Sequence, residues 1–270
     1  MTIGRARFAF TMLAFGYAFL YLPIALVIVY SFNESRLVTV WAGFSTKWWS
    51  ALFQNEAMLD AAWLSLRIAL LSATIASGLG LAAGYALVRA PRFRGRTLFA
   101  SLVIAPMVMP EVVMGISMLL LFVGSDQLLG GPARGFLSIT AAHVTFSLAF
   151  VAIVVQARLA DFDRALEEAA MDLGAPPWTT FLTVTLPLIA PALISGWLLA
   201  FTLSLDDLIL TQFVAGAQSQ TLPMRVYSSV RLGVDPQINV LATIVIAVAA
   251  SALLVSTFLT RRSVDKHGSQ

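Results

Sequence analysis

The chain has 270 residues, 59% of them hydrophobic and only 11% charged, with a formal net charge of +3. Soluble globular domains carry about 25% charged residues, so this composition excludes an ordinary soluble protein and marks an integral membrane chain. With no cysteine there are no disulfides and no thiolate metal sites, and so small a positive charge implies no nucleic-acid partner.

Six runs reach the roughly twenty apolar residues needed to cross a hydrocarbon core: 8–32, 61–88, 97–123, 136–157, 189–214 and 238–259. Arg5 and Arg7 precede the first run in the manner of a signal peptide. That run is long and lacks an A-x-A-like cleavage site, so an uncleaved first helix is expected. In the loop 33–60, Trp41, Trp48 and Trp49 fit an interfacial aromatic belt or a short helix at the membrane surface. Gly78, Gly80 and Gly84 in the second run have the small-residue spacing of tight helix packing.

The third run contains Pro106 and Pro110, which are expected to kink it and free carbonyls for neighbouring groups to satisfy. Such a break is a candidate hinge. His143 in the fourth run has no second histidine or cysteine near it in sequence, and is read as a helix–helix contact rather than a metal ligand or proton relay. Gly216, Pro223, Gly233 and Pro236 punctuate a loop at 215–237 that either enters the membrane edge or meets a partner. No internal repeat is evident.

Arginine and lysine set the expected orientation. Arg5, Arg7, Arg89, Arg92, Arg94, Arg96, Arg158, Arg164, Arg261, Arg262 and Lys266 fall on one side, against Arg36, Lys47, Arg134, Arg225 and Arg231 on the other. Arg67 lies inside the second run. The imbalance places both termini and the segment 158–188 in the cytoplasm.

That segment is too charged to cross a bilayer, since it carries Asp161, Asp163, Arg164, Glu167, Glu168 and Asp172. A helix is expected over 159–173, with Gly174 at its end, Pro176 and Pro177 stopping it, and a second short helix from Trp178. Pro187 and Pro191 precede or open the fifth span. The small side chains of Ala169 and Ala170 permit close approach of a partner surface.

Acids inside the spans are costly, so they usually face a cavity or a partner. Glu111 lies about 21 Å along a helix from Thr97, and Asp206 about 25 Å from Ile189, so Glu111, Asp206 and Asp207 share one depth. Carboxylates there, with aromatic faces at Trp197 or Phe201, would suit a small cation. The alternative is structural: Glu111 in the first turn of a half-helix, Asp206 and Asp207 capping an interruption or pairing with Arg67. Asp207 shares a helix face with Gly196, Ala200, Ser204 and Thr211, a stripe suited to a pore or to a close helix contact.

The order Glu168-Ala169-Ala170, three residues, Gly174, nine residues, then Val184-Thr185-Leu186-Pro187 resembles the EAA docking motif of type I ABC importer permeases, with Val184 in place of Ile. Further stretches resemble the polyamine branch of that family: Tyr30–Glu34, Trp41–Ser45, Val108–Glu111, Ala142–Phe146, Ser195–Asp207, Thr221–Met224 and Ser228–Gly233. Together they cover nearly the whole chain.

The resemblance implies an all-α fold of six transmembrane helices with a cytoplasmic EAA coupling helix–turn–helix, forming one permease domain over 1–270. It implies ATPase coupling through Glu168, Ala169, Ala170, Gly174, Leu186 and Pro187. It also implies a second homologous permease subunit, two ATPase subunits, a periplasmic polyamine-binding protein and a polyamine cargo, putrescine foremost. The chain has no G-x-x-x-x-G-K-[ST] loop, so ATP and Mg are expected on the ATPase subunits, with no cofactor or metal on this chain and no catalysis by it. Other cargoes of the same machinery (a cationic amino acid, iron, thiamine, sulfate) are alternatives, and a stand-alone secondary transporter or a membrane-embedded enzyme are readings from other classes.

Overall fold

A computed structural model describes residues 3–38, 40–90, 93–129, 134–233 and 235–251. Its helices are α1 (Ile3–Tyr30), α2 (Lys47–Gln54), α3 (Glu56–Arg89), α4 (Arg96–Val108), α5 (Glu111–Leu129), α6 (Phe136–Asp161), α7 (Ala165–Asp172), α8 (Pro177–Thr180), α9 (Leu186–Asp206), α10 (Ile209–Val214), α11 (Leu222–Leu232) and α12 (Gln237–Ser251). A wider π turn, Phe181–Thr185, joins α8 to α9. The only strand-like pairing among the described residues is one isolated bridge, Asn33 to Phe44.

Among the described residues, five helical stretches are long and apolar enough to cross a membrane: Arg7–Tyr30, Glu56–Arg89, Glu111–Leu128, Phe136–Asp161 and Pro177–Asp206. Arg96–Val108 and Gln237–Ser251 are shorter apolar helices. The last is the described part of the expected sixth span, whose remainder to residue 259 lies outside the described residues.

The chain forms two compact units, Met1–Leu59 with Val226–Gln270, and Asp60–Arg225. In the first, α1 exposes apolar side chains such as Phe10, Phe15 and Phe19 over its length. The turn after it is built around Asn33, which is buried: its Nδ2 donates to Val40 O at 2.7 Å, and its Oδ1 accepts from Ala42 N at 3.0 Å. The Phe32 ring stacks with both Phe44 and Trp49, so Trp49 of the short helix α2 belongs to an aromatic cluster. Asn55 Nδ2 donates to Gln237 Oε1 at 3.0 Å and fastens the start of α12.

In the second unit α6 is the central helix. It is buried along most of its length, packs against α9, α4 and α10, and shares an apolar cluster with α3 and α9 that contains Ala73, Val151, Val155, Leu159, Ile189 and Ala200. Close approach of α3 to α6 is the work of two glycines. A Cβ on Gly80 would sit 2.7 Å from Val151 Cβ, and one on Gly84 would sit 3.0 Å from Ala152 O. Gly78 meets nothing within 4 Å, so only two of the three expected packing glycines pack.

Two spans are interrupted rather than merely kinked. Pro110 has no N–H to continue the ladder and forces its predecessor out of helical geometry. Met109 accordingly turns extended (φ −74°, ψ 139°), ending α4, and Glu111 starts α5. Pro106, expected to share in the kink, sits inside α4. Helical geometry is continuous from Pro177 through the π turn to Asp206, so the helix that carries the fifth run begins before the expected residue 189. Pro187 removes one backbone bond at the start of α9, and the wide turn lies directly before it. Asp207 then turns extended (φ −65°, ψ 121°), so the expected run to residue 214 is two helices, α9 and α10. Within 215–237, expected as a loop, α11 forms.

Candidate functional site

Two groups of residues carry chemistry: the charged segment between α6 and α9, and the polar groups around the break in the fifth span.

The single helix expected over 159–173 is two helices. Phe162 is extended (φ −85°, ψ 128°), ending α6 at Asp161, and Asp163 Oδ1 accepts from Ala165 N at 2.9 Å to start α7. At the other end Gly174 adopts φ +91°, a conformation glycine reaches without steric penalty. The turn then closes through Gly174 N to Met171 O (2.9 Å) and Ala175 N to Ala170 O (3.1 Å), satisfying carbonyls the helix leaves open. This is the physical role of the motif glycine within the chain.

On α7 the two adjacent glutamates have different surroundings. Glu168 is exposed, and its Oε1 lies 3.2 Å from Arg164 Nε in an equally exposed pair. Glu167 is buried: its Oε2 lies 2.8 Å from Arg89 Nε, and its Oε1 accepts from Thr185 Oγ1 at 2.7 Å. Sequence reading singled out Glu168 and did not separate Glu167 from it. The available signal was the inward face shared by Glu167 and Ala170 at spacing i, i+3. Ala169 and Pro187 are exposed, Ala170 is half-buried, and Leu186 packs on the apolar cluster of α3, α6 and α9. Leu173 (90% exposed) and Trp178 (70%), further along the same segment, present large apolar side chains.

At the break in the fifth span, Asp207 acts first as a helix cap. Its Oδ2 accepts from Thr211 N (2.8 Å) and Thr211 Oγ1 (2.6 Å), and its Oδ1 from Leu210 N (3.2 Å), so α10 starts on this carboxylate. His143 of α6 reaches the same group, with Nε2 at 3.2 Å from Asp207 Oδ2 and 2.9 Å from Thr211 Oγ1. Its Nδ1 lies 2.6 Å from Ser204 Oγ, which in turn accepts from Ser72 Oγ at 3.1 Å. With the ring proton on Nε2, every hydrogen in the chain Ser72–Ser204–His143–Asp207 points at an acceptor. The stripe of Gly196, Ala200, Ser204 and Thr211 is buried, so it is a close helix contact and not a pore wall.

Glu111 and Asp206 are placed differently. Asp206 is exposed and Glu111 partly exposed, and among the described residues neither forms an ion pair. Glu111, Asp206 and Asp207 lie within electrostatic range of one another. Arg67 takes neither aspartate, because its guanidinium lies 5.2 Å from the Phe136 ring centroid. Trp197 and Phe201 stack on each other at 5.3 Å, and Trp197 Nε1 donates to Thr74 Oγ1 at 3.1 Å. Nine residues at about 100° each place Trp197 on the opposite side of α9 from Asp206, so this structure does not bring that aromatic pair and the acids together.

A multi-pass chain with interrupted apolar runs, carboxylates at the breaks and a charged helix pair between them has the features of a membrane permease. Residues 76–267 match the family described as the binding-protein-dependent transport system inner membrane component, and the chain belongs to it. It is 50% identical to the putrescine transport system permease protein PotI of Escherichia coli (strain K12), covering 97% of this chain and 94% of that one. It is 42% identical to the spermidine/putrescine transport system permease protein PotC of Shigella flexneri, over 93% of each. Among solved structures it resembles a bacterial ABC transporter involved in the import of the acidic polysaccharide alginate, with a TM-score of 0.70 at 15% identity over 97% of this chain and 98% of that one. The inward-facing MetNI methionine ABC transporter aligns with a TM-score of 0.60 at 16% identity, over 77% of this chain and 95% of that one. The fold is therefore that of a type I ABC importer permease.

Proposed function

We propose that this chain is the membrane-spanning permease subunit of an ATP-driven polyamine importer, with putrescine as the foremost cargo. The observation that carries the reading is 50% identity to a putrescine permease over 97% of the chain. The geometry adds two carboxylates, Glu111 and Asp206, that the chain itself leaves available at the helix breaks, whereas Asp207 is committed to His143 and to the start of α10. Two ammonium groups on one cargo would meet them by charge-assisted hydrogen bonds.

The chain forms half of a translocation pathway with a second homologous permease. Two ATPase subunits hold ATP and Mg and carry out hydrolysis, and a periplasmic binding protein delivers the polyamine. Both termini and the segment 158–188 face the cytoplasm, in keeping with the arginine and lysine distribution. Glu168, with the exposed Leu173 and Trp178 later in the segment, is the surface offered to the ATPase. ATP binding closes the ATPase pair, the segment carries that motion to the spans, and the paired permeases open outward. Hydrolysis and product release restore the inward-facing state.

The test is ATP-dependent uptake of labelled putrescine into proteoliposomes holding the complete system, with spermidine, amino acids and anions as competitors. Uptake that requires this chain, fails with Glu168→Lys and yields only to polyamines supports the reading. ATP-driven uptake of another solute removes the polyamine assignment, and uptake unaffected by Glu168→Lys removes the coupling assignment.

A further inference from the structure

The geometry points to Arg89, Glu167 and Thr185 as a buried strut through which α7 moves as one body with the end of α3 and the start of the fifth span. It rests on the reading of 158–188 as the segment that receives the motion of the ATPase.

Backbone geometry alone does not hold α7 in place. At its N-terminal side the chain leaves α6 through extended Phe162, and at its C-terminal side it passes Gly174 in a left-handed turn and then Pro176, also extended. Neither connection continues a helix, so a push on α7 delivered to either neighbour through these links would be absorbed by their torsions. The rigid connection runs through side chains. Glu167 Oε2 pairs with Arg89 Nε at 2.8 Å, and Oε1 accepts from Thr185 Oγ1 at 2.7 Å. The same guanidinium lies 5.6 Å from the Phe162 ring centroid, and Arg89 Nη2 donates to Phe162 O at 3.4 Å. One arginine and one carboxylate thus tie together the last residue of α3, the α6–α7 break, the buried face of α7 and the π turn.

The choice of groups is informative. Taking a carboxylate and a guanidinium out of water is expensive, and apolar side chains hold helices together at least as well. The hydrogen bond from Thr185 Oγ1 is directional and short-ranged, and a buried carboxylate is costly to part from the guanidinium that compensates its charge. Glu167 is 7% and Arg89 11% exposed as side chains, so water does not stand ready to replace either partner if α7 slides. A displacement of α7 relative to α3 or the π turn separates buried charge from its partner, and the two therefore move together. The exposed pair of Arg164 with Glu168 has no such constraint. Glu167 is accordingly a positioning residue, one step behind the surface that carries Glu168.

The experiment uses the complete transporter in proteoliposomes and measures cargo uptake per ATP hydrolysed, together with copurification of the ATPase, for Glu167→Gln, Thr185→Val and the exchange Arg89→Glu/Glu167→Arg. The strut predicts that Glu167→Gln still copurifies with the ATPase but loses about tenfold in uptake per ATP, the size of effect that residues along a coupled network can exert. Thr185→Val, which removes one hydrogen bond and keeps shape, shows a smaller loss in the same direction, and the exchange recovers part of the loss. Unchanged coupling in Glu167→Gln or, should that variant not assemble, in Thr185→Val overturns the proposal. Loss of ATPase copurification in both single variants also overturns it, because Glu167 would then serve docking itself. Normal uptake with Glu168→Lys would instead sink the coupling reading beneath it, which keeps the two failures apart.

Discussion

His143 Nε2 in α6 lies 3.2 Å from Asp207 Oδ2 at the break between α9 and α10, joining the fourth span to the interruption of the fifth. The imidazole is 2% and the aspartate side chain 8% exposed. An interrupted span leaves backbone groups without helical partners, and in a membrane these must be met by protein. Asp207 meets Leu210 N and Thr211 N, and His143 with Thr211 Oγ1 meets Asp207.

From this follows the first prediction. His143→Ala removes the imidazole N–H from the buried Asp207 carboxylate, which keeps its bonds from Leu210 and Thr211, at a cost of about 1.5 to 3 kcal/mol. Ser72→Ala, one step further along the chain of hydroxyls, should cost about 1 kcal/mol. Thermal unfolding of the purified complex in detergent measures both. Equal loss in the two variants would mean that the histidine contributes packing alone.

The carboxylates that form no ion pair among the described residues should behave oppositely. Glu111→Gln and Asp206→Asn are expected to leave unfolding temperature and ATPase copurification near wild type while raising the half-saturating polyamine concentration for uptake about tenfold or more, the worth of a charged hydrogen bond. Asp207→Asn, by contrast, should lower the unfolding temperature. A pattern in which all three variants merely destabilise would assign every acid to structure.

For Glu168→Lys the expectation separates stability from coupling. The Arg164–Glu168 pair is exposed, so its loss is worth less than about 1 kcal/mol. Transport in proteoliposomes should nevertheless be abolished, together with binding-protein stimulation of the ATPase. Wild-type uptake in a folded variant would exclude Glu168 from the docking surface.

Helix packing supplies a fourth test. Gly80→Leu places a side chain where even a Cβ meets Val151 Cβ at 2.7 Å, so α3 and α6 must separate, at about 1 to 3 kcal/mol. Gly78→Leu, with nothing within 4 Å of its Cβ, should be close to neutral. The comparison is made by unfolding temperature of the two single variants, and similar losses would argue against the observed α3–α6 contact.

The apolar runs were legible because a hydrocarbon core selects for about twenty apolar residues in a row, a property of local composition. Gly174 was legible as a helix end for a similar reason, since only glycine takes φ +91° without strain. Proline foretold the interruption at Pro110, though not that Pro106 would stay within α4. The break at Asp207 has no proline or glycine of its own to announce it. It arises from a carboxylate capping the next helix while a histidine 64 residues away holds that carboxylate in place.

Sequence by itself determined the membrane character, the apolar runs and the spacing of the EAA segment, because each depends on residues adjacent in the chain. Only the tertiary structure decided that Glu167 turns inward while Glu168 faces out, that Asp207 is committed to His143, and that Glu111 and Asp206 are left available. Those outcomes depend on which distant groups arrive within hydrogen-bonding reach. A buried charge takes the partner that packing brings to it, and Arg89 reaches Glu167 across 78 residues of chain.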